Sequence, residues 1–303
     1  MGQVKKNSDF WYHLAAFAMI LVWGISFLNT RVLLDAGMTP TEIFVARFSI
    51  AYLSLLAICR FKVRFTGWRD ELLFVVCGVA GGSAYFIAEN TALELTLISD
   101  VAVLVSTAPL TTALMGAIFY RDERITWLSC LGMVIAFVGS VMLALKNGLV
   151  WGDSISGDLL ALLAAFVWAF YSMALKKLNR TYTTLFITRK LFFYGILSAL
   201  PLLAMEDSRI DWQAVKQPEV WGNLLYLGLI CSMAAYFIWG ITVKRIGAVR
   251  ASNYFYLSPI ISMIAAAIWF GERTNAIAYI GCVLILAGVV MAEKFKRAPE
   301  ANQ

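Results

Sequence analysis

Hydrophobic runs recur along the whole chain of 303 residues, and each is close to the roughly 20 apolar residues that a membrane-spanning helix needs. Hydrophobic residues make up 61% of the sequence and charged residues only 15%. A soluble domain carries about a quarter charged residues. The sequence therefore predicts an all-α, polytopic membrane protein with no separate soluble domain.

Ten spans are predicted from the apolar runs. They cover residues 11–34, 40–59, 71–93, 99–119, 126–145, 157–178, 184–204, 220–243, 251–270 and 275–292. The second span has the best-defined start, because Thr39-Pro40-Thr41-Glu42 has the form of a capping box with proline at the first helical position.

Lysine and arginine are distributed unevenly between the two sides of these spans. With the N-terminus in the cytoplasm, 17 of the 25 basic residues fall in the cytoplasmic segments. The opposite side holds four, Lys146, Arg209, Lys216 and Arg273, and four more lie within or at the edge of spans, Arg31, Arg47, Arg189 and Lys190. Such a bias predicts cytoplasmic N- and C-termini and an even number of spans in the cell membrane. It also explains the net charge of +6 without a nucleic-acid partner.

One proline-containing stretch occurs twice. The stretch from Leu104 to Arg124 contains Pro109 and ends in Glu123-Arg124; it returns from Leu257 to Arg273 with Pro259 and a closing Glu272-Arg273. A proline inside a helix removes the hydrogen bond to the carbonyl four residues earlier, and lipid cannot replace that bond. We therefore expect breaks that leave the carbonyls of Val105 and Phe255 free. The Glu-Arg pairs are interpreted as solvated helix ends, caps or gate ion pairs.

Other motifs repeat in the same order, at offsets between 142 and 151 residues. They are Thr41-x-x-Phe44-x-x-Arg47 with Thr183-x-x-Phe186-x-x-Arg189, Tyr85-Phe86-Ile87 with Tyr236-Phe237-Ile238, Gly132 and Gly139 with Gly281 and Gly288, and Trp23 with Trp168. The halves cover residues 11–145 and 157–292, with tails at 1–10 and 293–303. Because five spans is an odd number, the second half enters from the opposite side. Such inverted repeats are typical of secondary transporters that bind substrate near the midplane. The repeated glycines are interpreted as positions of close helix packing.

These motifs resemble those of the EamA family of the drug/metabolite transporter superfamily. The resemblance covers roughly residues 11–292 and depends on Trp23-Gly24-x-x-Phe27, Arg47-Phe48, Ala92-Leu-Glu94-x-Thr96 and the two proline stretches. It implies ten helices in two inverted repeats, a central cavity between them and transport of small metabolites, in bacteria often export of amino acids or related compounds. One departure is Trp168-Ala169, which lacks the glycine that follows Trp23.

A polar and aromatic set is predicted to line the cavity. Its members are Trp23, Ser26, Thr30, Tyr85, Glu89, Ser106, Thr107, Trp168, Tyr171, Ser172, Tyr236, Trp239, Asn253, Tyr256 and Ser258. Spacings of three and four residues place each group on one helix face, and aromatic side chains with a polar tip suit amphipathic solutes. The alternative is that some members belong to the interfacial belt or to ordinary packing.

Three charged residues within the spans are candidates for coupling or ion pairing. Glu89 lies inside the third span, where an ionisable group is costly and is by default a functional candidate. It either couples transport to protons, contacts substrate, pairs statically with Arg47 or reaches the outer interface. Arg47 and Arg189 either bind an anionic group of the substrate, or snorkel and tie helices together.

The predicted mechanism is alternating access by rocking of the two halves, driven by a proton gradient or by exchange. Nutrient uptake and a non-transporting sensor are the alternatives.

No enzymatic motif is present, and neither a cofactor nor a metal is expected. The five cysteines, Cys59, Cys77, Cys130, Cys231 and Cys282, are interpreted as small buried hydrophobic residues. The expected partners are a small solute and the lipid bilayer, with a homo-oligomer left open.

Overall fold

The fold is built from helices. The computed structural model describes residues 2–58, 65–120, 126–144, 155–206, 217–270 and 276–294, and within these ranges no strand occurs. Seven helices of this part of the chain are long and apolar enough to cross a membrane. Two shorter apolar stretches, Trp127–Met142 and Tyr279–Ala292, lie where the fifth and tenth spans are predicted. The all-helical membrane fold is therefore confirmed, and the count of ten crossings stays a prediction.

The described helices follow the chain in this order: α1 Gly2–Asp35, α2 Pro40–Ile58, α3 Trp68–Leu95, α4 Ile98–Val105, α5 Ala108–Phe119, α6 Trp127–Ala144, α7 Ile155–Leu178, α8 Thr184–Met205, α9 Pro218–Ile246, α10 Ala248–Ser252, α11 Ser258–Phe270 and α12 Ala276–Lys294. Helices α4 and α5 form the predicted fourth span. Helices α10 and α11 form the ninth and are joined by a 3-10 helix over Asn253–Leu257.

The start of α2 is a reciprocal capping box, as predicted. The backbone N–H of Thr39 donates to a carboxylate oxygen of Glu42 at 2.8 Å, and the N–H of Glu42 donates to the Thr39 hydroxyl at 3.2 Å. These two bonds satisfy donors that a helix start otherwise leaves unpaired.

Helices α3 and α9 each contain a π-helical stretch, at Val79–Ser83 and Tyr226–Ala234. Both stretches precede the repeated Tyr-Phe-Ile motif, so the irregularity occurs at equivalent places in the two halves. Such π stretches are rare and occur frequently at functional sites. The region of the bundle around Tyr85 and Tyr236 is therefore a candidate functional site.

Both proline stretches interrupt a regular helix, as expected, but the second does not leave its carbonyl free. Helix α4 ends at Val105 and α5 begins at Ala108, with the hydroxyls of Ser106 and Thr107 donating to the carbonyls of Val103 and Leu104. In the second copy, the N–H of Ser258 donates to the Phe255 carbonyl. The expectation of a free Phe255 carbonyl is therefore wrong, because the 3-10 turn brings a donor three residues later within reach.

Packing between the halves occurs in equivalent pairs. Helix α1 packs against α9 and α11, and its repeat counterpart α7 packs against α3 and the α4–α5 pair. Helix α2 packs against α9, and its counterpart α8 packs against α3. The fifth predicted span, α6, packs against the tenth, α12. This exchange of neighbours fits two repeats related by a pseudo-twofold axis.

The α6–α12 contact is made by the repeated glycines. A Cβ on Gly288 would lie 2.4 Å from the amide nitrogen of Ala136 and 2.5 Å from the carbonyl oxygen of Gly132. A Cβ on Gly139 would lie 2.6 Å from the Gly281 carbonyl oxygen. The two backbones are thus in direct contact, and the predicted role of these glycines in close packing is confirmed.

The cysteines are only partly as predicted. Cys77 and Cys231 are buried, but Cys130 is exposed on α6 and Cys282 is half-buried. The prediction that Cys130 is buried is therefore wrong. An apolar residue on the outer face of a membrane bundle contacts lipid instead of protein. Cys59 lies outside the described residues.

Candidate functional site

A cavity, named the central cavity, lies where the two halves meet. It is lined by Ile20, Trp23, Ser26, Phe27, Tyr85, Phe86, Glu89, Val105, Trp168, Tyr236, Phe255 and Ser258. The volume open to the centre of a water molecule is about 20 Å³. By that measure one ordered water needs roughly 10–15 Å³. The cavity in this conformation has space for one or two waters and not for a larger solute.

Aromatic rings form most of the cavity wall. The ring of Trp23 lies 5.6 Å from that of Trp168, 5.3 Å from that of Trp239 and 5.8 Å from that of Tyr236, measured between ring centroids. Phe255 stacks on Trp23 at 5.8 Å. These separations are within the range of favourable aromatic pairs. The rings come from four parts of the chain, so their arrangement depends on how the halves pack.

Two cavity side chains bind backbone carbonyls of the π-helical stretches. The indole N–H of Trp23 donates to the Cys231 carbonyl at 2.8 Å, and the Tyr236 hydroxyl donates to the Gly81 carbonyl at 2.5 Å. Each bond crosses between the halves. The backbone carbonyls that accept hydrogen bonds from cavity side chains thus belong to the π-helical stretches. The sequence had suggested the carbonyls of Val105 and Phe255, which precede the prolines.

Glu89 is the acidic residue of the central cavity. It is buried, and the Tyr85 hydroxyl one turn earlier donates to its carboxylate at 2.6 Å. No nitrogen of Arg47 lies within 4 Å of that carboxylate, since the ion pairs of the described residues do not include this pair. The static bridge that the sequence left open is therefore not formed, and the carboxylate is enclosed by protein.

Arg47 ties three helices together. Its Nε donates to the Ser232 hydroxyl of α9 at 3.0 Å, and its guanidinium lies 4.2 Å from the centroid of the Phe86 ring of α3. The side chain is fully buried, so it does not snorkel. Its Nη2 has no hydrogen-bond partner among the described residues. The geometry matches the helix-tying alternative and leaves the N–H groups of Nη2 unpaired within the described residues.

Several other buried polar groups lack partners within the described part of the chain. They are the indole nitrogens of Trp168 and Trp239, both polar atoms of the Asn253 amide, the hydroxyl of Tyr256 and the amide oxygens of Asn29 and Asn90. A buried donor without an acceptor costs about 1–3 kcal/mol. Both indoles belong to the ring cluster around Trp23, but only that of Trp168 lines the cavity, where an acceptor oxygen of a ligand would satisfy its N–H.

The structure brings part of the predicted set to the cavity. Trp23, Ser26, Tyr85, Glu89, Trp168, Tyr236 and Ser258 line it. The other predicted members are buried next to it or elsewhere: Thr30, Ser106, Thr107, Tyr171, Ser172, Trp239, Asn253 and Tyr256. Ser172 donates to the Trp168 carbonyl at 2.9 Å, and the Tyr171 ring packs on Gly81. These two shape the wall without reaching the cavity.

Five lining residues were not assigned side-chain roles from the sequence: Ile20, Phe27, Phe86, Val105 and Phe255. A positional signal existed for two of them, because Ile20 and Phe27 lie three residues before and four after Trp23 on the same helix face. Apolar side chains carry no chemical signature that separates a cavity wall from a core. The pairs Glu123-Arg124 and Glu272-Arg273 lie outside the described residues.

Arg189, the repeat counterpart of Arg47, does not reach the central cavity. Its guanidinium lies 5.3 Å from the centroid of the Phe186 ring on its own helix, and the side chain lines a separate crevice near the starts of α3 and α8. The two arginines therefore occupy matching sequence positions with different surroundings.

Comparisons with known proteins agree with this architecture. The model of the EamA-like transporter family matches residues 10–145 and 155–293. A Streptantibioticus cattleyicolor protein named a probable terminal-alkyne amino-acid exporter is 28% identical over 295 residues, covering 96% of this chain and 95% of its own. A Salmonella typhimurium protein named a probable amino-acid metabolite efflux pump is 25% identical, covering 90% of this chain and 92% of its own. A solved crystal structure has a TM-score of 0.72 at 22% identity, covers 93% of this chain and 98% of that chain, and supports the fold alone.

Proposed function

Because the chain belongs to the EamA-like transporter family, we propose that it is a secondary transporter that exports amino acids or related amphipathic compounds. The observation that carries the proposal is the central cavity, where aromatic rings surround a buried carboxylate and the unpartnered indole N–H of Trp168. The names of two relatives, an exporter and an efflux pump, support the same direction of transport.

The cavity chemistry favours a solute that has both apolar and charged parts. Rings such as Trp23 and Phe255 offer apolar contact to a side chain. The indole N–H of Trp168 offers a donor to a carboxylate, and the Glu89 carboxylate offers an acceptor to an ammonium group. Hydrogen bonds to charged groups contribute about 1.5–3 kcal/mol each. An amino acid or a close analogue meets all three requirements.

The small volume of the cavity supports an alternating-access mechanism. Space for one or two waters cannot hold an amino acid, so binding requires the halves to separate around the cavity. The bonds from Trp23 to Cys231 and from Tyr236 to Gly81 join the halves at this level, and their breaking would accompany the widening. Rocking of two repeats about a midplane site is how inverted-repeat transporters alternate access.

The topology proposed for this mechanism has ten crossings of the cell membrane, in two inverted repeats over 11–145 and 157–292, with both termini in the cytoplasm. The Lys and Arg bias and the equivalent packing of the two halves support it. Glu89 is proposed to couple transport to protons or to contact the solute, because it is a buried carboxylate whose one hydrogen bond within the described part of the chain comes from the Tyr85 hydroxyl.

A deletion strain compared with the parent strain tests the direction and the class of solute. Profiling of extracellular and intracellular metabolites is expected to show an amino acid or analogue retained inside the deletion strain and restored outside by complementation. Depletion inside the deletion strain would instead indicate uptake. Unchanged profiles, together with ligand binding but no flux by purified protein, would indicate a sensor.

A further inference from the structure

A second crevice lies between α2, the start of α3 and α8, away from the central cavity. Tyr52, Glu71, Arg189, Lys190, Phe193 and Tyr194 line it, and its volume is about 180 Å³. It shares no lining residue with the central cavity. The proposed function assigns it no role.

Among the described residues, the one carboxylate that lines this crevice is already fully engaged. Glu71 is paired with the ammonium group of Lys190 and accepts a hydrogen bond from the Tyr194 hydroxyl. Thr66 adds a backbone N–H at 2.9 Å and a hydroxyl at 3.1 Å to the same carboxylate. The neighbouring Asp70 accepts from the Tyr182 hydroxyl. Lys190 and Glu71 therefore cancel each other's charge.

Arg189 is left as an uncompensated positive charge. Its side chain is only 5% exposed, and within the described part of the chain it has neither an ion pair nor a hydrogen bond. Its neighbour is the Phe186 ring at 5.3 Å. A guanidinium does not lose its proton in proteins, and a buried charge without a partner is costly. The repeat counterpart Arg47 differs, because its Nε donates to the Ser232 hydroxyl even though its Nη2 is unpartnered within the described residues.

The walls of the crevice show what kind of anion it suits. The Tyr52 and Phe193 rings lie 6.0 Å apart between centroids, and Phe193 is 43% exposed on the outer face of α8. Leu197 and Leu200 of the same helix are also exposed, so this face contacts lipid chains. A guanidinium offers a planar fork of donors that matches phosphate oxygens. Basic pockets between membrane helices bind lipid headgroups.

We propose that the Arg189 crevice binds a phosphate group. A membrane phospholipid headgroup and soluble phosphate are the two sources of this chemistry. The open aromatic side of the crevice favours the lipid, whose phosphate would meet Arg189 while its chains lie along α8. The inference does not depend on the solute or direction of transport.

The test uses the purified, delipidated full-length protein in detergent and follows its thermal unfolding midpoint. Dioleoyl phosphatidylglycerol, matched detergent alone and inorganic phosphate are added in separate arms. We expect phosphatidylglycerol to raise the midpoint of wild type and of R69Q, a matched control at the exposed Arg69, and to leave R189Q unchanged. A rise with inorganic phosphate that R189Q abolishes would assign the site to a soluble anion.

Two results would overturn the proposal. One is a wild-type midpoint that neither phosphatidylglycerol nor phosphate moves, and the other is a shift of equal size in R189Q and R69Q. If R189Q does not purify in folded form, R189K replaces it, because lysine keeps the charge but lacks the fork. R189K is expected to reduce the lipid-dependent shift, and a full wild-type shift in R189K would contradict recognition by the guanidinium.

Discussion

The hydroxyl of Tyr236 donates to the carbonyl of Gly81 at 2.5 Å. This bond joins the second half of the chain to the first, because Tyr236 lies in α9 and Gly81 in the π-helical stretch of α3. Both residues are buried beside the central cavity. The irregular backbone of one repeat is thus stabilised by a side chain of the other.

The substitution Y236F is expected to lower stability and transport together. Removal of the hydroxyl leaves the Gly81 carbonyl without this donor in a buried setting, and such bonds in membrane proteins contribute about 1 kcal/mol. Thermal unfolding and flux of the purified variant measure the effect. Y279F is the control, since Tyr279 is exposed on α12. Equal midpoints and equal flux in the two variants would show that the bond has no such role.

The substitution E89Q is expected to remove the pH dependence of transport. Glutamine keeps the shape of the side chain and the acceptor for the Tyr85 hydroxyl but cannot exchange a proton. Flux into proteoliposomes at several pH values and imposed gradients measures this. E94Q, at an exposed carboxylate of the same helix, is the control and is expected to keep the wild-type profile. An unaltered profile in E89Q rules out coupling by Glu89.

The substitution W168F is expected to weaken binding of a solute carboxylate. It keeps an aromatic ring and removes an indole N–H that belongs to the cavity lining and is unpartnered in the described structure. Loss of a hydrogen bond of about 1.5–3 kcal/mol corresponds to a roughly ten- to hundredfold higher Kd. Calorimetry with the amino acid and with its decarboxylated amine separates the carboxylate contribution. W127F, at an exposed tryptophan of α6, should bind both like wild type.

The substitution G288A is expected to destabilise the protein. Its Cβ would lie 2.4 Å from the Ala136 amide nitrogen, so α6 and α12 would have to separate. Overpacking of this kind costs about 1–3 kcal/mol, more than the roughly 1 kcal/mol gained when alanine replaces glycine in a helix. G222A is the matched control, because nothing lies within 4 Å of an added Cβ there. An unfolding midpoint of G288A at or above that of G222A would contradict the close packing.

Features that depend on local sequence were predictable. The capping box at Thr39 and Glu42 needs only residues three apart, and its two hydrogen bonds occur as expected. The close contact through Gly132 and Gly288 followed from their repeated spacing, because only small residues allow two helix backbones to touch. The hydrophobic runs likewise predicted membrane helices from length and composition alone.

Features that depend on distant partners were not predictable. The Gly81 carbonyl meets a hydroxyl that is 155 residues away in the chain, and no local pattern marks the π-helical stretch around it. The ion pair of Glu71 and Lys190 likewise joins helices whose rotation the sequence does not specify. For the same reason the predicted cavity set included buried residues such as Thr30, which does not line the cavity.

Counterflow in proteoliposomes tests the central claim most directly. Labelled amino acid is expected to accumulate transiently in vesicles that contain wild-type protein and unlabelled substrate. Ser26 lines the central cavity, and S26L would occupy the space for one or two waters there; we expect folded S26L to abolish counterflow. S54L, at a half-buried serine outside the cavity, should transport like wild type. Wild-type counterflow that S26L leaves intact would contradict solute passage through the central cavity.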